Sequence, residues 1–450
     1  MQPTLHIEYV PVSELRPSDR NARTHPARQE HQLTAAIKEF GFTVPILIAA
    51  DKRIIAGHLR AEAAKAAGLT TVPVICVDHL SKEQMRALAL AENKISLGSQ
   101  WDMDLLKAEL QELAAKDLSF DIEITGFETA EIDMIIDGPT ERKKLDPSDD
   151  VPKVETQAVT RTGDLWLLGE HRLLCGDSLK AANYTELMAD DKARVVFSDV
   201  PFNVPISGHV GGLGTVQHRE FAMASGEMTE AEFTEFLRTA FVHMANYSVD
   251  GAIQFIAIDW RHIGEILAAG KSVYSELKNI CVWNKDNGGM GSFYRSKHEL
   301  FFVFKVGTAP HVNTIELGRS GRYRTNVWDY AGVNTMRAGR QQDLEMHPTV
   351  KPTALVIDAI KDCSHRGDIV LDPFCGSGTT IIAAEKSKRR ARSIEIDPLY
   401  VDVAVRRWQK LTGMRAVADI TGETFDEVAQ ARRLDPKPIV DGDELTDILA

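Results

Sequence analysis

Two short stretches carry residue types and spacings that could do chemistry. In VVFSDVPFNV (195–204) an apolar strand runs into Asp199-Val200-Pro201-Phe202. A carboxylate followed by a backbone carbonyl offers two acceptors for the hydrogens of an amino group. The ring that follows offers a face on which a flat base can rest. Taken alone, D-x-P-F is also simply a strand ending in a turn. Further along, DIVLDPFCGSGTTIIAAEKSKRRARSIEID (368–397) runs from a buried strand into a glycine loop, Cys375-Gly376-Ser377-Gly378. A helix opens at Thr379, and a second strand ends on Glu395 and Asp397. Glycines there let the backbone turn tightly and approach a ligand closely. An acid at the end of the next strand can accept hydrogen bonds from both hydroxyls of a ribose. The loop by itself also suits a phosphate binder, or a tight turn with no ligand. However, the third glycine of the dinucleotide fingerprint is missing, and no Gly-Lys-Ser/Thr follows.

The elements that must position these residues read as α/β. Strands are expected at RLLCGD, ARVVFSD, AIQFIAID, NICVWNK, ELFFVFK, DIVLDPF and RSIEID, with helices such as TEAEFTEFLRTAFVHMAN in most gaps. Alternating strands and helices imply a doubly wound sheet with helices on both faces. Residues 308–345 lack clear periodicity and read as an insertion. Ahead of this series, 138–159 is polar and proline-bearing and reads as a linker. Before the linker, residues 1–137 form a compact block. Strand-like runs (VPILIAA, RIIAG, TVPVICV) alternate there with alanine-rich helical runs, and further helices trail after Ser81. Residues 160–420 form the second domain, and the acidic stretch 421–450 reads as a loose tail.

Composition sets outer bounds. The chain has 450 residues, 44% of them hydrophobic and 26% charged, which suits two or three soluble globular domains. No run approaches a membrane span, and the opening MQPTLHIEYVPVSEL has no signal-peptide pattern, so a cytoplasmic protein is expected. The five cysteines form no CxxC pair, so neither a metal site nor a disulfide framework is expected. The net charge of −13 works against binding nucleic acid. A local strip can still track phosphates: Arg319, Arg322, Arg324, Arg337 and Arg340 face a single acid, Asp329. A merely solvated loop is the other reading of that strip.

DPFCGSGTT followed by SIEIDPLY resembles the amino-methyltransferases that act on DNA, and Asp199-Val200-Pro201-Phe202 resembles their Asp-Pro-Pro-Tyr motif. Phe202 keeps the stacking face; Val200 keeps the carbonyl and loses the proline's stiffness. HRLLCGDS and HPTVKP (347–352) resemble two further family elements, in the family's permuted order, and the resemblance spans about 160–411. It implies a Rossmann-like S-adenosylmethionine-dependent sheet. Asp177, Lys351, Asp372, Phe374, Gly376, Ser377, Gly378, Thr379 and Glu395 would contact the cofactor. Asp199, Val200, Pro201 and Phe202 would be catalytic, and the arginine strip would contact double-stranded DNA. The implied activity is methylation of adenine N6 at specific sites. The alternatives are N4 of cytosine, or a catalytically weak DNA-binding adaptor of partition type. Cytosine C5 chemistry is disfavoured, since no Pro-Cys pair supplies the nucleophile.

IIAGHLRAEAAKAAGL (54–69), preceded by RNARTHP (20–26), resembles the ParB/sulfiredoxin-like fold. The resemblance implies a small α/β domain in which Gly57, His58 and Arg60 could hold the phosphates of a nucleoside triphosphate with magnesium. A scaffold that docks DNA or a partner without nucleotide is the other reading. A homodimer is compatible with either.

Overall fold

The computed structural model describes residues 5–116, 118, 120–138, 146–203, 226–286, 288, 293–315, 323–332 and 350–434. The chain divides into two compact units, Met1–Gly138 and Pro139–Ala450. The first unit is a small sheet of β1 (Ile7–Pro11), β2 (Ile46–Ile48), β3 (Ile54–Ala56) and β4 (Thr71–Cys76), in the order β1-β4-β2-β3. Ile46, Ile48, Ile54, Val72 and Val74 pack there with Ala61 and Ala64 of the helix His58–Ala66. Alanines on that helix let it lie close to the sheet. Strand β1 was not expected from the sequence: only Val10 of its IEYVP is buried, so it lacks an apolar run.

The second unit holds β5 (Leu165–Leu168), β6 (His171–Cys175), β7 (Ala193–Asp199), β8 (Ser248–Ile258), β9 (Glu276–Asn284), β10 (His298–Lys305), β11 (Val327–Asp329), β12 (Ile369–Asp372), β13 (Arg390–Glu395) and β14 (Val417–Ala418). These described strands form one sheet in the order β11-β9-β10-β8-β7-β12-β13-β6-β5-β14. The five strands β8, β7, β12, β13 and β6 are mutually parallel. Parallel strands covered on both faces read as unbroken apolar runs, which is why ARVVFSD and DIVLD were legible. Side chains alternate between the faces. Val195 and Phe197 enter the core with the helix Thr353–Asp362, whereas Val196 enters the core with the helices Glu230–Asn246 and Ile263–Val273. The Rossmann-like doubly wound sheet expected from the sequence is therefore present.

Three segments depart from their expected roles. Part of the expected linker is built into the second unit: Asp149 is buried and accepts from the Thr353 amide (2.8 Å), capping the helix that opens there. The insertion carries β11, which pairs with β9 and buries Trp328 and Tyr330. The expected tail starts later than 421, because Phe425–Leu434 is helical. Phe425 is buried against Trp166, and Arg432 pairs with Asp164. Residues 435–450 lie outside the described set. Among the described residues no helix is long and apolar enough to cross a membrane.

Candidate active site

A doubly wound sheet gathers functional groups at the carboxyl ends of its parallel strands. Here the ends of four adjacent strands all carry acids. Asp199 closes β7, Asp372 closes β12, Glu395 closes β13, and Asp177 follows β6 directly. The Asp372 carboxylate accepts from the Thr380 hydroxyl (2.6 Å) and the Phe374 amide (3.1 Å). Glu395 accepts from the amides of Gly376 (2.7 Å) and Asp397 (2.9 Å). Burial pushes both acids up, to about 7 each, against these hydrogen bonds. Asp177 accepts from the Leu179 amide (2.9 Å) in a turn of its own.

The two loop glycines differ in purpose. Gly376 has φ 53°, and a Cβ there would meet nothing within 4 Å, so its face is open to a ligand. Gly378 has φ 84°, and a Cβ would fall 2.7 Å from the Ala404 Cβ, so this glycine lets two helices touch. Helix packing thus requires glycine at 378 independently of any ligand. Ser377 and Thr379 likewise turn inward: Arg407 Nη1 donates to both hydroxyl oxygens, at 3.3 and 3.0 Å. Arg407 thereby fixes the side chains of both residues on the loop. That guanidinium also reaches the Ser148 carbonyl at 2.8 Å, and burial lowers it to about 10. Sequence reading missed Arg407, although an arginine amid the apolar positions of WQKLT's helix is a faint signal.

Asp199 sits in a buried chain of charge. Lys351, 3% exposed, donates to Asp199 Oδ2 (2.6 Å) and pairs with Glu299 (3.0 Å). Glu299 in turn pairs with Lys285. Lys351 therefore holds the expected catalytic acid, a role the sequence did not suggest. Burial works to lower Lys351, but Asp199 and Glu299 outweigh it and hold it above its ordinary value. Burial raises Asp199 despite Lys351. Burial also acts to raise Glu299, but Lys351 and Lys285 hold it below the usual carboxylate range. The other oxygen, Asp199 Oδ1, is buried without a hydrogen-bond partner among the described residues. Val200 is buried, and the Phe202 ring lies 5.4 Å from Lys351 Nζ. Asn203, in the left-handed region at φ 51°, accepts from Gly226 and Met228 and donates to the Met228 carbonyl. It thereby ties off the turn after Phe202. The sequence signal for Glu299 is one acid opening the otherwise apolar strand HELFFVF.

The arginine strip needs one correction. Arg324 is 4% exposed and donates to Asp362 (2.8 Å) and to the Tyr330 hydroxyl (2.6 Å), with Asp358 at 3.4 Å. It clamps the insertion to a buried helix and has no reach to a phosphate. Arg319, Arg322, Arg337 and Arg340 lie outside the described residues, as do His347, Pro348 and Thr349. In the first unit, Gly57 at φ 104° caps the helix carrying His58 and Arg60. His58 Nε2 accepts from the Ser18 amide (3.1 Å), and Arg60 donates to the Pro45 carbonyl (2.7 Å). Burial lowers both groups.

Comparison with known proteins gives this geometry a family. Residues 193–406 match the N6/N4 DNA methylases, 2–94 the ParB N-terminal domain, and 104–162 the ParB-methyltransferase HTH domain. ParB-like nuclease domain-containing protein YnaK of Escherichia coli is 46% identical over 84 residues, 19% of this chain and 97% of YnaK. Type II methyltransferase M.HpaI of Haemophilus parainfluenzae is 26% identical over 253 residues, 53% of this chain and 74% of M.HpaI. Four other type II methyltransferases are spanned over only 29%, 40%, 50% and 55% of their lengths. Among solved structures, the cytosine-N4-specific PvuII DNA methyltransferase aligns with 64% of this chain and 98% of its own, at 14% identity and a TM-score of 0.41. Residues 193–406 therefore carry an N6/N4 DNA methylase domain, and residues 2–94 carry a ParB N-terminal domain ahead of it.

Proposed function

We propose that the chain transfers a methyl group from S-adenosylmethionine to an exocyclic amine in double-stranded DNA, N6 of adenine, at a specific site. The observation that carries this reading is Asp199. One oxygen is fixed by Lys351, and the other is buried with no hydrogen-bond partner among the described residues. An orphaned acceptor at a strand end suits a base amine. Asp199 Oδ1 and the Val200 carbonyl accept the amine hydrogens and turn its lone pair outward, while Pro201 stiffens the turn and Phe202 supports the base. S-adenosylmethionine supplies an electrophilic methyl on a sulfonium. Buried acids at Asp372 and Glu395, both pushed up to about 7, suit a cationic ligand of that kind. Glu395 would take the ribose and Asp177 the adenine, with Phe374 and the open face of Gly376 lining the approach. As the amine gains its methyl it sheds a proton, and burial makes Asp199 a ready acceptor for it.

N4 of cytosine is the second reading, because the family covers both amines and Asp199 accepts from either. Labelled cofactor with mixed-sequence duplex, followed by single-molecule sequencing, distinguishes the two and yields the site. Asp199→Ala should abolish transfer with cofactor binding nearly intact. Full activity in that variant refutes the assignment, and absence of product from the parent leaves a DNA-binding adaptor. The remaining strip of Arg319, Arg322, Arg337 and Arg340 would hold phosphates. In the first unit, Gly57, His58 and Arg60 would take a nucleoside triphosphate with magnesium once Arg60 leaves the Pro45 carbonyl. Calorimetry of the chain and of Arg60→Ala tests this. A homodimer in the cytoplasm completes the proposal.

A further inference from the structure

The connection between β9 and β10 carries a feature that neither packing nor the reaction explains. Phe293 and Tyr294 are adjacent, 86% and 80% exposed, and in edge-to-face contact with ring centroids 4.5 Å apart. Two large rings placed side by side in water lose the burial that normally favours them. Two hydrogen bonds tie the described residues of the connection together. The Lys285 amide donates to the Lys297 carbonyl (2.9 Å) at its base, and Arg295 donates to the Gly288 carbonyl (2.8 Å) across it.

Sheet register places this connection beside Asp199. Asp199 pairs with Ala257 of β8, and the next β8 residue, Ile258, pairs with Leu300 of β10. The start of β10 and the end of β7 therefore lie at the same edge of the sheet. Two strand spacings separate them, about 10 Å. The charge chain spans the same gap: Asp199, Lys351, Glu299 and Lys285 follow one another in ion pairs. Lys285, Arg295 and Lys297 outnumber Asp286, so the surroundings of the rings are basic in an acidic chain.

We propose that Phe293 and Tyr294 enter the duplex beside the target nucleotide and fill the gap that its base leaves when it swings out to Asp199. The inference rests on the transferase reading and adds the element that opens the duplex. A base removed from the stack leaves two neighbours unstacked, and an inserted aromatic face restores much of that contact. The position fits: the start of β10, where the connection carrying the rings ends, is about 10 Å from the end of β7, within the ~12 Å breadth of one major groove. The basic surroundings favour nucleic acid over a protein partner.

The test uses the full chain and two duplexes carrying the sequenced site, one fully paired and one with the target opposite an abasic position. The parent's methylation of the paired duplex reports on the transferase reading. The variant-to-parent ratio on each duplex reports on the insertion. Phe293→Ala with Tyr294→Ala should lose about tenfold or more on the paired duplex and recover most of it on the unpaired one. Phe293→Leu with Tyr294→Leu, which keeps apolar bulk, should lose less. Unchanged cofactor affinity by calorimetry shows that the variant is folded. An equal loss on both duplexes, or no loss, overturns the proposal. The same holds if the variant is normal on both duplexes but fails to capture a protein partner.

Discussion

Lys351→Met isolates the charge chain at the centre of the site. The ammonium is 3% exposed and lies 2.6 Å from Asp199 and 3.0 Å from Glu299. Methionine keeps much of the stem's bulk and removes the charge, leaving two carboxylates facing each other. Breaking a buried pair costs about 3–5 kcal/mol. The protein has an escape, since one carboxylate can take a proton. At pH 7 that costs about 4 kcal/mol for an acid of ordinary affinity, and less for one already raised. Asp199 is 29% exposed, so water offsets part of the loss. The expected deficit is therefore near the low end, about 3 kcal/mol, or a fall of roughly 6–10 °C in the melting of the methylase unit. The pH dependence follows in sign. In the variant, burial and like charge raise the folded pKa of the two acids above the unfolded value. The deficit is then full at pH 8 and shrinks as pH falls towards 5. Calorimetric melting at pH 5, 7 and 8 measures it, and Glu299→Gln in the same background should restore much of the stability. A deficit under about 1 kcal/mol, flat with pH, would refute the chain as described. Loss of cofactor affinity without loss of stability would return Lys351 to a cofactor role.

Asp372 and Glu395, both near pH 7, should make cofactor affinity rise with pH by up to about tenfold per unit below pH 7 and level off above 8, because a cation favours their ionised forms. Calorimetric titration from pH 6 to 8.5 checks this, and a flat profile refutes it. Gly378→Ala should destabilise the fold through its clash with Ala404 and be partly relieved by Ala404→Gly. Gly376→Val, which points into open space, should weaken cofactor binding more than it lowers the melting temperature. Arg324→Ala should lower the melting temperature by removing the guanidinium that Asp358 and Asp362 pair with. It should also leave the salt dependence of DNA binding unchanged, whereas Arg319, Arg322, Arg337 and Arg340 should each contribute about 0.9 to its slope.

What the sequence revealed followed from burial on two faces. Strands β7 and β12 carry unbroken apolar runs, Val195–Phe197 and Ile369–Leu371, because helices cover both their sides, and the acids that end them stand out for the same reason. Edge strands gave no such signal. Strand β11 is three residues long and β14 two, and each is held by one neighbour. Arg324 was misjudged for a related reason. Its partners lie 34 and 38 residues away on a helix whose acids face inward, and a local count of charge cannot see them. The glycine motif reads as a single feature in the sequence, but it holds both a glycine required by helix contact and one that leaves a face open.

The site keeps its charges where they are least stable. Asp199, Asp372 and Glu395 end three adjacent strands, and burial raises all three. Among the causes that act on Asp372 and Glu395, none is a nearby base, in contrast to Glu299 with its two lysines. A fold selected for stability alone would neutralise or pair such acids. Leaving Asp372 and Glu395 unpaired makes a cationic ligand worth more to the folded state than to the unfolded chain. Fixing Asp199 through one oxygen only, while Oδ1 has no hydrogen-bond partner among the described residues, does the same for a donor that arrives from outside. The two arrangements divide the labour. On the proposed function, the acids without a basic partner among the described residues would draw the cation to the glycine loop, and Asp199 would take the amine at the next strand, one spacing of about 4.8 Å away. The short separation places donor and acceptor side by side before any loop has to move.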